Sequence, residues 1–299
     1  MLNPAAILAQ AFGDHLADLY FEAFGRREAH YADMIREGAK LIFELLSGSD
    51  ALYHDAEHTT FVTLVGQDIL RGRRLKHDVQ PNDWIHFTLA TLVHDIGYVR
   101  GVCRGDSDSA YVIDEKGEVT TLTRGASDAS LTPYHIERSK IFVRERFASH
   151  PIIDIERVAR AIELTRFPVP EDEMHQETDT EAGLVRAADL IGQLADPFYP
   201  RKLNALFHEF EEIGVNSKLG YKTPADIADH YPRFFWTKVE PFVRDAMRYL
   251  ALTVRGRQWT ANLYTHVFEI EHSLRRMGPQ AGADGRLPDL VRTSGAKAE

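Results

Sequence analysis

A histidine and an aspartate, His94 and Asp95, stand next to each other within the apolar stretch 92–97. A buried imidazole beside a buried carboxylate needs a partner for its charge, and a divalent metal supplies one. A His-Asp dipeptide by itself is usually incidental, so its meaning depends on further ligands. His58 and Asp189 are such candidates, each on the apolar side of a separate predicted helix. Together the four residues predict a metal site inside a helical bundle.

Nitrogen and oxygen ligands in this mixture suit Mn, Fe, Mg, Zn or Co, with no sulfur to favour a softer metal. The two carboxylate oxygens of Asp95 could bridge two metals and leave a hydroxide shared between them. Taken singly, each residue has a simpler interpretation as a hydrogen-bonded core group. Taken together, several unpaired ionisable groups in one bundle would be very costly to bury without a metal.

Apolar residues at three- and four-residue steps predict the helices that carry these groups. The predicted helices cover 4–24, 28–47, 51–71, 84–95, 133–149, 153–165 and 182–194, and further helices continue to about residue 278. Ser49 and Asp50 are predicted to cap the third helix. His54 and His58, four residues apart in that helix, are expected on one face.

Residues 101–132 interrupt the helical rhythm. Two β-prone runs, 110–114 and 119–123, flank a short turn at 115–118 and predict a β-hairpin, either a surface excursion or a lid over the site. Pro224, Pro232 and Pro241 are expected to break the later helices. The predicted fold is therefore an all-α bundle with an inserted hairpin and extra C-terminal helices. It forms one domain over 1–278, followed by a disordered tail at 279–299.

Composition limits the functions available to the chain of 299 residues. A formal net charge of −10 argues against binding to nucleic acid or to an anionic membrane. The single Cys103 excludes an internal disulfide and a cysteine-based zinc site; as a lone thiol it is either unremarkable or a nucleophile. Neither a signal peptide nor a membrane-spanning run is predicted, so a cytoplasmic location is expected. A homodimer is left open.

The order His58, His94-Asp95, Asp189 over residues 50–195 resembles the HD-domain metal-dependent phosphohydrolases. That family places a histidine, a His-Asp pair and a distal aspartate on separate helices of an all-α bundle. The resemblance implies that these four residues bind a divalent metal, with Asp95 also taking part in catalysis.

The segment Tyr53-His54-Asp55-Ala56-Glu57-His58 resembles the Tyr-His-Asn-x-x-His of cyclic nucleotide phosphodiesterases, a branch of the same superfamily. The resemblance implies that His54 protonates the leaving oxygen and that His58 binds metal. Asp55 stands where that branch has asparagine. In those phosphodiesterases a glutamine recognises the purine base, and Gln193 does not stand at the corresponding distance in sequence from Asp189.

The resemblance also implies a second metal site that is incomplete. His135 stands where HD proteins with two metals place an additional histidine, and it is either a ligand, a phosphate contact or a capping histidine. Thr165 takes the place of a second such histidine, and a hydroxyl is a poor ligand. The basic residues near the ligands are candidate phosphate contacts: Arg100, Arg138, Lys140 and Arg166.

The expected activity is hydrolysis of a small phosphoester, such as a nucleotide or cyclic nucleotide, by a metal-activated hydroxide. Two alternatives are kept. An HD-type iron oxygenase would use two irons and a fuller set of histidines, so Thr165 counts against it. A non-catalytic HD-type interaction domain would usually lose the ligands that this chain keeps.

Overall fold

The computed structural model describes residues 3–276, which form twelve α-helices and one small antiparallel sheet. The predicted all-α fold is confirmed. The helices are α1 Pro4–Phe24, α2 His30–Leu46, α3 Ala56–Arg74, α4 Pro81–Val93, α5 His135–Phe147, α6 Ile155–Leu164, α7 Glu181–Leu194, α8 Tyr199–Glu212, α9 Val215–Leu219, α10 Pro224–Phe234, α11 Glu240–Leu250 and α12 Val254–Arg276. A π-helical turn, Phe235–Val239, joins α10 to α11.

Helix α4 lies at the centre of the bundle, as its composition predicts. It begins with Pro81 at its first turn, and the Asp83 carboxylate accepts the backbone N–H of Gln80 at 2.9 Å. Every residue from Trp84 to Val93 is buried. Helices α2, α3, α6 and α7 all pack against it. An apolar helix with no solvated face is stable only when neighbours cover it on all sides.

Several predicted helix ends differ from the structure by a few residues, and two of these differences affect the site. Helix α3 begins at Ala56 rather than at residue 51, because the Asp55 carboxylate caps it by accepting the N–H groups of Glu57 and His58 at 2.8 and 2.9 Å. His54 therefore precedes the helix and does not share a helical face with His58. Helix α4 ends at Val93, which leaves Asp95 outside the helix.

The capping role predicted for Ser49 and Asp50 is likewise wrong, since Asp50 instead accepts the N–H of Asp128 at 2.7 Å. The hairpin is confirmed but short. Its strands, β1 Tyr111–Val112 and β2 Val119–Thr120, pair antiparallel with Tyr111 opposite Thr120.

The helices after residue 195 pack onto the bundle that carries the candidate ligands. Helix α11 lies against α3 and α7, and α12 contacts the same pair. Pro224 and Pro241 stand in the first turns of α10 and α11, whereas Pro232 lies within α10 and does not end it. The tail predicted at 279–299 lies outside the described residues, and the domain boundaries stay a prediction. Within residues 3–276 the helices lack the combination of length and apolar character that a membrane span requires.

Candidate metal centre

The histidines and aspartates predicted as ligands converge at one point in the bundle. The ligand atoms of His58, His94 and Asp95 all lie within 4.8 Å of one another. Asp95 Oδ2 is 3.3 Å from His58 Nε2 and 3.2 Å from His94 Nε2. Asp189 Oδ1 is 3.4 and 3.5 Å from the same two nitrogens. These atoms are spaced like neighbouring ligands of one cation about 2 Å from each of them.

Both Nε2 atoms are buried and have no hydrogen-bond partner among the described residues. The Nδ1–H of His94 donates to the carbonyl of Thr91 at 2.9 Å, which leaves Nε2 as the lone-pair nitrogen. Two unsatisfied imidazole nitrogens facing two carboxylates are expensive to bury, and a divalent cation would remove that cost. The residues therefore fit a metal ion, and the cluster could hold one.

Two glycines allow the ligand-bearing elements to approach each other. A Cβ on Gly192 of α7 would lie 2.6 Å from the Cα of Val62 in α3, so this glycine brings Asp189 close to His58. A Cβ on Gly97 would lie 2.0 Å from the carbonyl oxygen of His135. Gly97 thus allows the start of α5 to rest on the turn that follows Asp95.

His135 is brought beside the cluster, on the other oxygen of Asp95. Its Nε2 lies 3.7 Å from Asp95 Oδ1, while Asp95 Oδ2 faces His58 and His94. Its Nδ1 lies 2.6 Å from the Thr132 carbonyl, so Nε2 faces the carboxylate as an acceptor. Thr165 is not a ligand, because its hydroxyl donates to the Ile162 carbonyl at 2.8 Å and caps α6.

Electrostatic coupling within the cluster is strong. Burial lowers the pKa of His58, but Asp189 and Asp95 outweigh burial and raise the pKa to about 9. Burial raises the pKa of Asp189, but the nearby imidazoles of His58 and His94 outweigh burial and lower the pKa to about 2. In the metal-free protein, protons on the imidazoles thus take the place that a cation would fill.

These pKa values predict opposite pH responses with and without metal. A folded-state pKa of His58 raised from 6.5 to about 9 contributes stability that is fully present below pH 6.5 and is lost as pH rises through 9. Metal binding needs the neutral imidazole, so metal affinity rises over the same interval. We expect the melting temperature of chelator-treated protein to fall between pH 6.5 and 9, and added Mn or Zn to offset the fall. Scanning fluorimetry between pH 6.5 and 9 tests this expectation. An equal fall in melting temperature with and without metal would contradict it.

His54 lies beside the cluster and is held by a residue that the sequence analysis missed. Its Nδ1 is 2.6 Å from Oε2 of Glu209 in α8, and the other Glu209 oxygen accepts the backbone N–H of Tyr53 at 2.7 Å. Burial raises the pKa of Glu209, but the charge of His54 outweighs burial and lowers it, so the carboxylate stays ionised. The ring of His54 stacks on Tyr98 at 4.5 Å, and Tyr98 stacks in turn on His135 at 4.5 Å.

The access side of the site is formed by partly exposed groups. The side chains of His54, His135 and Asp189 are 17%, 16% and 18% exposed, whereas His94 is fully buried. A small molecule approaching from solvent would therefore meet these three side chains before it met His94.

All four basic residues predicted to contact phosphate are engaged with carboxylates, three of them in partly exposed ion pairs. Arg100 pairs with Asp50 at 2.6 Å and also with Asp128. Lys140 and Arg166 both pair with the carboxylate of Glu163, at 2.6 and 2.5 Å. These three cations form ion pairs that hold helices and turns together, and within residues 3–276 none of them pairs with Asp95 or Asp189.

Arg138 is an internal anchor and not a substrate contact. Its side chain is fully buried, and its guanidinium donates to both oxygens of Asp106 at 2.9 Å. It also donates to the carbonyls of Gly97, Val99 and Val112. With every donor used and no exposed surface, it cannot reach a phosphate. Cys103 is buried as well, and burial raises its pKa to about 12, so it is not a nucleophile.

Comparison with known proteins gives one family. Residues 2–273 match the profile of the Npun_R2479-like family. The chain belongs to this family. None of the curated proteins matches the chain.

The match to the Npun_R2479-like family extends well beyond the segment 50–195 that carries the HD resemblance. It takes in α8, whose Glu209 holds His54 and whose Glu212 accepts hydrogen bonds at 2.5 Å from the backbone and hydroxyl of Ser127. Helix α8 is therefore part of the site's framework in this family member, closing the side next to His54.

Proposed function

We propose that this chain is a divalent-metal-dependent phosphohydrolase of the HD type that acts on a small phosphoester, such as a nucleotide or cyclic nucleotide. One observation carries the proposal. Two buried imidazole nitrogens without hydrogen-bond partners in residues 3–276 face two carboxylates at 3.2–3.5 Å, beside a third histidine held by its own buried carboxylate. A metal-ligand set next to a proton donor is the arrangement that phosphoester hydrolysis needs.

His58, His94, Asp95 and Asp189 would hold the metal. When bound, a divalent cation would stabilise negative charge on the phosphoryl oxygens and lower the pKa of a coordinated water. Asp95 presents its second oxygen to His135 at 3.7 Å, so the same carboxylate can orient a group bound between them. The Npun_R2479-like family match gives no activity of its own, so the proposal depends on this chemistry.

His54 would supply the proton to the leaving oxygen. Glu209 receives the Nδ1–H of His54 at 2.6 Å, which directs the other ring nitrogen away from α8. The stack on Tyr98 fixes the plane of the ring. A general acid held by a buried carboxylate on one side and a flat ring on another has little freedom to turn away from a bound substrate.

Substitution at the His54–Glu209 pair is expected to slow turnover without loss of metal. We expect His54→Gln to lower kcat by roughly 10²–10⁴-fold. Glu209→Gln is expected to lower kcat by roughly 10–100-fold, the cost of losing an outer partner, with little change in KM. Metal content by mass spectrometry and steady-state kinetics are the measurements.

Glu211→Gln is the matched control, since Glu211 lies on the same helix and bonds to Asn216 at 3.0 Å instead. It removes the same charge and should leave kcat unchanged. If Glu211→Gln and Glu209→Gln slow turnover equally, the Glu209 assignment is wrong. Full activity in the His54 variant would overturn the assignment of the acid.

The activity itself is tested by a screen of the full chain with Mn, Mg, Fe or Zn against nucleotides, cyclic nucleotides and simple phosphoesters. Release of phosphate or of a phosphomonoester with at least one metal, abolished by a chelator, supports the proposal. Oxygen uptake is measured in the same samples loaded with iron. Bound iron with oxygen uptake and no phosphoester turnover would favour the oxygenase instead.

A further inference from the structure

A groove of about 410 Å³ lies between α2 and α4, apart from the ligand cluster. Its lining is mostly apolar and includes Ile35, Ile42, Ile85, Leu89, Leu92 and Ile153. This volume falls within the range of small-molecule sites, which are mostly apolar with a few convergent polar groups. The polar groups here are Glu37, Thr88, Arg146 and His150.

One of the residues that line the groove is a half-buried glycine, Gly38, which the packing of the described residues does not require. Gly38 lies in the middle of α2, where glycine weakens a helix relative to alanine. A Cβ built on it meets no atom within 4 Å. The fold would therefore accept a larger side chain here, and the glycine leaves space along the groove.

The charged groups on the rim favour an anion. Glu37 pairs with Lys40 at 2.9 Å, so that carboxylate is already neutralised. The neighbouring Arg144 pairs with Glu115 and Glu156. Arg146 forms no ion pair with a carboxylate of residues 3–276, and its exposed guanidinium lies at the groove beside the half-buried His150.

We propose that this groove binds an amphipathic small molecule, an unbranched apolar chain that carries one anionic head group. The chain would lie along the partly exposed side chains of Met34, Leu41 and Phe147, and Arg146 would bind the head group. The proposal is independent of the metal-site chemistry, because none of the groove residues is a candidate ligand. An apolar chain in such a groove gains affinity with each buried methylene, and the guanidinium of Arg146 at the rim would fix the orientation of the ligand.

The test uses the purified full chain and the fluorescent fatty acid dansyl-undecanoic acid, displaced by octanoate, decanoate and decanol. We expect saturable binding and an affinity that rises about fourfold for each added methylene. Gly38→Leu, which fills the groove from a position with free space, should abolish binding and leave the melting temperature equal or higher. Arg146→Gln should lower the affinity for octanoate and decanoate by roughly threefold to tenfold and leave the affinity for decanol unchanged.

Arg124→Gln is the control for charge, since Arg124 is an exposed arginine outside the groove. If Arg124→Gln lowers the affinity for carboxylates as much as Arg146→Gln does, Arg146 is not the residue that binds the head group. Unchanged binding in the Gly38→Leu variant would show that the ligand does not bind in this groove. Absence of binding, together with a dimer that dissociates in the Gly38→Leu variant, would show that a second copy of the chain covers the groove and would also overturn the proposal.

Discussion

Replacing His94 with glutamine is expected to remove the metal and the proposed hydrolase activity together. His94 is fully buried, its Nδ1–H donates to the Thr91 carbonyl, and among the described residues its Nε2 faces only the other members of the cluster. Loss of an outer hydrogen-bond partner costs roughly 10–100-fold in metal affinity or activity, and loss of a direct ligand should exceed that. We expect metal content after dialysis to fall to background and turnover to fall by at least roughly 10³-fold. Metal analysis and the phosphoester screen on one preparation measure both.

The control for this variant is His175→Gln. His175 is also buried, and its Nε2 also lacks a hydrogen-bond partner in the part of the chain that the structure describes. It lies outside the ligand cluster, and its Nδ1 is bonded to Asp172. It should keep metal and activity. Asp189→Asn guards against a folding artefact, since Asp189 is partly exposed and should lose metal while keeping the helical circular dichroism of the parent. A folded His94→Gln protein with full metal content would refute the proposed centre.

The ligand cluster could be predicted because its signals are local. His94 and Asp95 follow a helix that is apolar on every face, and such a helix can only be central in a bundle. His58 and Asp189 stand in helices whose apolar periodicity points them inward. A group that is buried by its own helix can be recognised from spacing alone, without knowing which helix lies opposite.

The groups that surround the cluster could not be predicted in the same way. Whether a basic side chain faces substrate or a carboxylate depends on tertiary contacts, and Arg100 meets Asp128, 28 residues away. Glu209 reaches His54 across 155 residues. The sequence did contain one indication of the role of Glu209. Glu209 follows Leu203 and Leu206 on the buried face of α8, where a carboxylate is costly to bury without a partner.

The shift in the start of α3 has the same physical origin. Periodicity locates the apolar face of a helix but not its first residue, which depends on which side chain caps the free N–H groups. Asp55 caps α3 and so takes the preceding His54 out of the helix. The two histidines still meet, with ring centroids 5.5 Å apart, because the turn before the helix folds back along it.

Replacing Arg138 with methionine is expected to destabilise the protein strongly, although Arg138 is not a candidate ligand. Arg138 binds Asp106 with two hydrogen bonds and the carbonyls of Gly97, Val99 and Val112 with three more, all in the interior. Removing one partner of a buried ion pair costs about 3–5 kcal/mol in the free energy of unfolding. Backbone N–H groups of Gly101 and Val112 still bind Asp106, so a value near the lower end is expected. Urea denaturation of the metal-free protein measures it.

The double variant Arg138→Met/Asp106→Leu separates loss of the pair from exposure of an unpaired charge. If most of the cost is the buried carboxylate, the double variant should regain part of the stability that the single variant loses. Arg104→Met, at an exposed arginine bonded to the carbonyl of Glu145, should stay within about 0.5 kcal/mol of the parent. A loss below 1 kcal/mol for Arg138→Met would mean that the 97–112 segment is not anchored as described. Because Gly97 and Val99 flank the turn after Asp95, the same variant should also weaken metal binding, which links this anchor to the centre.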